Sequence, residues 1–129
     1  MSIQHCIPKN KHDLSATYGA RELGFPAVNE VLPELLEWLQ DANWPVAWPL
    51  ASILQKAGTE IVLHIRKIFA GQDDEWKFSI VVLLLAGSSQ EVFGDLQDEL
   101  LRLAQNPSEG EKLSAVDEAA KEVLKERFV

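Results

Sequence analysis

Apolar residues recur at helical spacing along almost the whole chain, and this restricts the fold more than any other feature. Ile61, Val62, Ile65, Ile68 and Phe69 fall at i, i+1, i+4, i+7 and i+8, one stripe on a helix predicted over 59–70. Gly58 and Gly71 stand at its two ends, where helices stop. Val92, Phe93, Leu96, Leu100, Leu103 and Ala104 repeat the pattern before Asn106-Pro107, predicting a helix over 89–105. Leu113, Val116, Ala120, Val123 and Leu124 do so again over 112–127, preceded by Ser108 and Glu111 at capping-box spacing. Further helices are expected at 13–23, with Asp13 opening it and Gly24 closing it, and at 26–40, where Pro33 must break or kink the run.

The segment from Ile80 to Ala86 is apolar all round, so period alone does not separate a buried strand from a buried helix. Asp74 as an N-cap and a helix-sized stretch to Ala86 favour a buried central helix over 74–86. At seven residues this is the longest uninterrupted apolar run, against the ~20 that cross a bilayer. No apolar segment follows a basic one at the start, and a single cysteine excludes an internal disulfide. The expectation is a soluble, cytoplasmic protein with no membrane association and, at 129 residues, one domain.

Weak self-similarity organises these helices. Asp41 and Asp73, Trp44 and Trp76, Leu50 and Val82, and Ile53 and Leu85 are each 32 residues apart. Gly24 and Gly58, Val28 and Val62, Val31 and Ile65, and Leu35 and Phe69 are 34 apart. A unit of two antiparallel helices at that length marks an α-solenoid. The predicted architecture is all-α, a short right-handed solenoid of about three helical hairpins. These pair 13–23 with 26–40, 45–57 with 59–70, and 74–86 with 89–105, and a last helix, 112–127, caps the open end. That last helix presents Asp117, Glu118, Lys121, Glu122 and Lys125 outward.

The stretch DANWPVAWPL, 41–50, fits this plan locally. Pro45 suits a first helical turn and pushes Trp44 out of the helical region. Pro49, four residues on, is expected to remove the hydrogen bond to the Pro45 carbonyl and to bend the helix, as first helices of HEAT-type repeats are bent. Trp48 is expected to pack beside Trp44 across the joint between units.

These residues carry a resemblance. PKNKHD (8–13), GFPAV (24–28), LPELLEWLQDANWPVAWPL (32–50), DDEWK (73–77) and SAVDEAAKEVL (114–124) are similar to a small bacterial family known as domain of unknown function 5071. The resemblance spans nearly the whole chain and implies a compact, helical, HEAT-like fold. It brings no activity, cofactor or catalytic residue, so no site is carried over.

Charge narrows the function. The net charge is −8, and 88–129 holds ten acids against five bases. Nucleic-acid binders need a basic face, and none is evident; an acidic surface suits a basic protein partner, although solubility alone also accounts for it. His5, Cys6, His12 and Asp13 lack the paired spacing of a zinc site. No metal, cofactor or catalytic residue is expected.

The leading expectation is a non-enzymatic protein–protein interaction module. Its surface would lie where 41–44 meets 72–76, with Trp38, Trp44 and Trp76 as anchors and Asp41, Asp73 and Asp74 as acidic contacts. Glu60, His64 and Lys67, at i, i+4 and i+7 opposite the 61–69 stripe, add a polar helix face that solvation alone also explains. A sharper form is an immunity-type inhibitor neutralising a basic toxin. The alternative is a small hydrolase working through carboxylates and His64.

Overall fold

The computed structural model describes residues 3–127. Among them nine α-helices, three 3₁₀ turns and one π-helical segment account for the regular structure, with no strand. The helices are α1 Leu14–Leu23, α2 Leu32–Glu37, α3 Ala47–Leu54, α4 Val62–Ala70 and α5 Asp74–Ser79. After the π segment Ile80–Leu85 come α6 Gln90–Asp95, α7 Gln97–Gln105, α8 Glu109–Leu113 and α9 Val116–Arg127.

The helical stripes bury as their spacing predicts: Ile61, Val62, Ile65, Ile68 and Phe69 are all core, as are Val92, Phe93, Leu96, Leu100 and Leu103. Gly24 ends α1 with a φ of 66°, a left-handed turn that favours glycine, and its N–H donates to the Ala20 carbonyl. Several elements are shorter than expected. Residues 26–40 divide into a 3₁₀ turn, Ala27–Val31, and α2, with Pro33 in the first turn of α2 where no N–H is needed. Residues 89–105 divide at Leu96, whose N–H is shared between the Val92 and Phe93 carbonyls.

The last helix is likewise two. Ser108 and Glu111 do form the capping box, but it starts the short α8, and Ala115, at a φ of 61°, turns the chain before α9. Leu113 therefore leaves the 113–124 stripe and is 88% exposed. The N-cap before α5 is also one residue earlier than expected: Asp73, not Asp74, accepts the Trp76 N–H at 3.1 Å.

Around the central segment the helices stack in sequence. α1 lies on α3, α3 on the π segment, and the π segment on α9, while α9 also runs against α7. All but Val82 of Ile80–Leu85 is buried, which places the most apolar stretch between α3 and α9. Helix ends leave carbonyls without intrahelical partners, and here two side chains supply them. The Gln55 amide donates to the Leu83 carbonyl at 2.9 Å, and Arg127 donates to the Leu85 carbonyl at 2.7 Å. Arg127 also lies over the Phe93 ring, 4.5 Å from its centroid.

The proline-rich stretch departs from its expected form. α3 begins only at Ala47, so Pro49 is in the first turn, where an N–H has no intrahelical acceptor to lose. No hydrogen bond is removed and no kink is required. Trp44 lies before the helix, so it shares no helical face with Trp48, and Trp48 is 60% exposed rather than packed.

Candidate functional site

The sequence-predicted contact residues fall into separate groups. Trp38, at the C-terminus of α2, and Trp44 are both half-buried against the core. Their ring centroids are 5.6 Å apart at an interplanar angle of 55°, a tilted aromatic pair that packs the loop onto α2. Asp41 closes an Asx turn by accepting the Asn43 N–H at 2.8 Å. Asp73 caps α5 and Asp74 pairs with Lys77 at 2.9 Å, so both serve local structure. Glu60 is exposed on the 3₁₀ turn Thr59–Ile61.

His64, Lys67 and Trp76 do come together. With Pro33, Leu36, Glu37 and Ile68 they line an open cleft of about 280 Å³ between α2, α4 and the start of α5. The helical spacing of His64 and Lys67 puts both on one edge of α4. Trp76 is held because its indole N–H donates to the Leu36 carbonyl at 3.0 Å. The result is a mainly apolar depression with a fixed indole, an imidazole, an ammonium and one carboxylate around it.

The cleft does not contain the acids whose ionisation is most altered. Those are Glu111, in the capping box, and Asp13, whose carboxyl is held below its usual range by the Ser15 hydroxyl and the Lys9 N–H. Near the N-terminus the Cys6 sulfur lies 3.6 Å from His5 Nε2, but Cys6 is wholly buried, and burial pushes its thiol pKa up. That environment disfavours the thiolate a nucleophile needs. Among the described residues no three His, Cys, Asp or Glu side chains gather as a metal-binding group.

Two features were not read from the sequence. The first is a buried ion cluster. Lys77 on α5 donates to Glu111 on α8 at 2.8 Å, and Arg102 on α7 reaches both Glu111 oxygens, at 2.7 and 3.1 Å. The Ser108 N–H adds a fourth bond at 2.8 Å. Burial opposes ionisation of Glu111, and these donors outweigh it, lowering its pKa to about 2.

The second is an acidic groove. Glu118, Glu122 and Glu126 border a hollow of about 350 Å³ floored by Phe78, Val82, Ala86, Ala119 and Val123. A neighbouring hollow of about 500 Å³ shares Phe78 and Ala115 with it and adds Asp41, Glu75 and the exposed Leu113. The residues that meet there include 40–43 and Glu75, so the 41–44 loop and the 72–76 segment do converge. The four-residue spacing of Glu118, Glu122 and Glu126, and of Phe78, Val82 and Ala86, was the available signal.

Residues 6–124 match the model of a family described as Domain of unknown function (DUF5071). The chain belongs to this family. A search of curated proteins finds no match. The DUF5071 match runs from buried Cys6 into α9 and so takes in the cleft, the ion cluster and all of the groove except Glu126. The family's description names no activity, so the site in this DUF5071 chain rests on its geometry alone.

Proposed function

We infer that this chain is a non-enzymatic protein-interaction module, a short right-handed HEAT-like solenoid working in the cytoplasm. The sequential stacking of α1, α3, the π segment and α9 supports the solenoid, and a single cysteine suits a reducing compartment. The observation that carries the reading is the cleft. Trp76 is immobilised by its bond to the Leu36 carbonyl beside His64 and Lys67, and an aromatic anchor in a shallow, mainly apolar depression is the usual centre of a protein contact. A hydrolase would instead need a base and a reacting centre enclosed from water, and this cleft is open. The partner is a protein rather than a nucleic acid, since a chain of net charge −8 repels phosphates.

The test compares His64→Ala/Lys67→Glu with wild type as baits in quantitative affinity capture, alongside thermal melts. A partner retained by wild type and lost by an equally stable double variant supports the reading. Identical captured sets on both baits remove the cleft as the contact surface.

A further inference from the structure

The acidic groove lies over the contact between the π segment and α9. Its floor is apolar, with Phe78 and Val82 half-buried and Ala86 exposed along one helix face, and Ala119 and Val123 supplying the other side. Glu118, Glu122 and Glu126 follow one edge, and no Lys or Arg lines either hollow. Among the described residues none of the three glutamates has an ion-pair partner; the one pair on α9 joins Asp117 to Lys121. Like charges at i, i+4 disfavour a helix by about 0.2–0.5 kcal/mol per pair. This helix carries two such pairs in a row. Lys121 and Lys125 stand at i+3 from Glu118 and Glu122, but the ion pair on the helix takes Lys121 to Asp117. The glutamates border the half-buried Phe78 and Val82 and the exposed Ala86.

Resting on the interaction-module reading, we propose that this groove docks a basic amphipathic helix of a partner protein. The partner's apolar residues cover Phe78, Val82 and Ala86, the floor positions that remain accessible. Its Lys or Arg side chains, one turn apart, meet Glu118, Glu122 and Glu126. The register follows from helix geometry: four residues rise about 6 Å, so the three glutamates span about 12 Å, matched by cations at i, i+4 and i+8 of a roughly parallel or antiparallel helix. Asp41 and Glu75 extend the same sign of charge past Phe78 into the second hollow. The charge excludes a nucleic acid or an anionic lipid surface as occupant. It also disfavours a second copy of this chain, which brings a net charge of −8 to the contact.

The test titrates a labelled synthetic peptide, leucine on one face and lysine on the other over about four turns, against the full chain by fluorescence anisotropy. E118Q/E122Q/E126Q is expected to weaken binding at least about tenfold, a change of about 1.4 kcal/mol. E91Q/D95N/D98N, three exposed acids on α6 and α7, makes the same change in net charge and is expected to stay within about twofold. Ala86→Trp, which fills an exposed floor position, is expected to weaken binding as well. Circular dichroism melts should show the glutamine triple close to wild type, because relief of Glu–Glu repulsion offsets loss of the first-turn acid Glu118 and of the i, i+3 lysine neighbours.

Equal losses in the two triple variants would mean diffuse charge attraction and overturn the proposal, as would absence of peptide binding to wild type. Sedimentation showing wild-type self-association that the glutamine triple abolishes would assign the groove to a second copy and overturn it too. Lys67→Glu, in the separate cleft, is expected to leave peptide binding unchanged, so failure here is distinct from failure of the cleft.

Discussion

The Lys77 ammonium meets the Glu111 carboxylate at 2.8 Å with both side chains almost entirely out of water. The pair joins α5 to α8, and Arg102 adds α7 to the same carboxylate. Taking away one partner of such a pair leaves a buried charge without compensation, which costs about 3–5 kcal/mol. Glu111→Ala is expected to destabilise by about 3 kcal/mol, the lower end of that range, since it strands the Ser108 N–H but leaves Lys77 its second partner, Asp74, at 2.9 Å. Lys77→Met should cost less, because Glu111 keeps Arg102 and Ser108. Urea midpoints decide it, and an alanine variant within about 1 kcal/mol of wild type would show that the cluster contributes little.

The same carboxylate makes stability depend on acid. Glu111 titrates at 4.5 when unperturbed and at about 2 in the fold. A carboxyl lowered in the native state contributes stability that is fully present above the unfolded value and is lost as pH falls through the folded one. The window is therefore pH 4.5 down to 2, and the amount at neutral pH is about 3 kcal/mol. Lys77 is the reverse case: although burial works against its charged form, its carboxylate partners raise its pKa above 10.5. Its contribution is complete below pH 10.5 and fades as pH rises past the folded value. Denaturation midpoints of wild type and Glu111→Gln across pH 2 to 5 should converge toward the acid end, and parallel curves would contradict the assignment.

Gly110 is needed because of this cluster. A Cβ on Gly110 would run into the Asp74 carboxylate, which is engaged with Lys77 at 2.9 Å. Gly110→Ala is expected to displace Asp74 and to destabilise by about 1–2 kcal/mol, the usual scale of overpacking. In an Asp74→Ala background the clash is gone and the helix preference for alanine remains. The same substitution should then become neutral or stabilising by up to about 1 kcal/mol. A double-mutant cycle without that sign reversal would mean that Asp74 is not the obstacle.

The sequence was most legible where one face of a helix carries the pattern. The stripes of α4 and of α6–α7 are buried as spaced, and Ser108 with Glu111 forms the box their spacing suggests. It was less legible at junctions. Pro33 and Pro49 both lie in first turns, where a missing N–H costs nothing, so neither proline marks the bend that an interior position would cause. Leu113 and Val116 have helical spacing, but Ala115 reverses the chain between them. The site was harder still. Lys77 reads as one more polar residue beside Trp76; its burial depends on Glu111, 34 residues away, and no local spacing encodes that pairing.

Trp48 and Trp76 have similar sequence surroundings, opening a helix beside a Trp-Pro or an acidic cap, yet they differ in what they touch. Trp48 is 60% exposed, so its removal uncovers little, and no hydrogen bond from its indole is lost. Trp48→Ala is expected to change stability by less than about 0.5 kcal/mol and to shift the remaining fluorescence to shorter wavelength, since the most solvated indole is gone. Trp76→Phe keeps a ring in the cleft but deletes the donor to the Leu36 carbonyl. That carbonyl still accepts the Leu39 N–H at 3.0 Å, so the loss should be about 1 kcal/mol rather than the full penalty of a stranded buried group. Trp76→Ala adds the loss of the ring itself and should cost more. Chemical denaturation and acrylamide quenching on the three variants test the contrast. A Trp48→Ala variant that loses as much stability as Trp76→Ala would mean that Trp48 packs after all, as its spacing from Trp44 first implied.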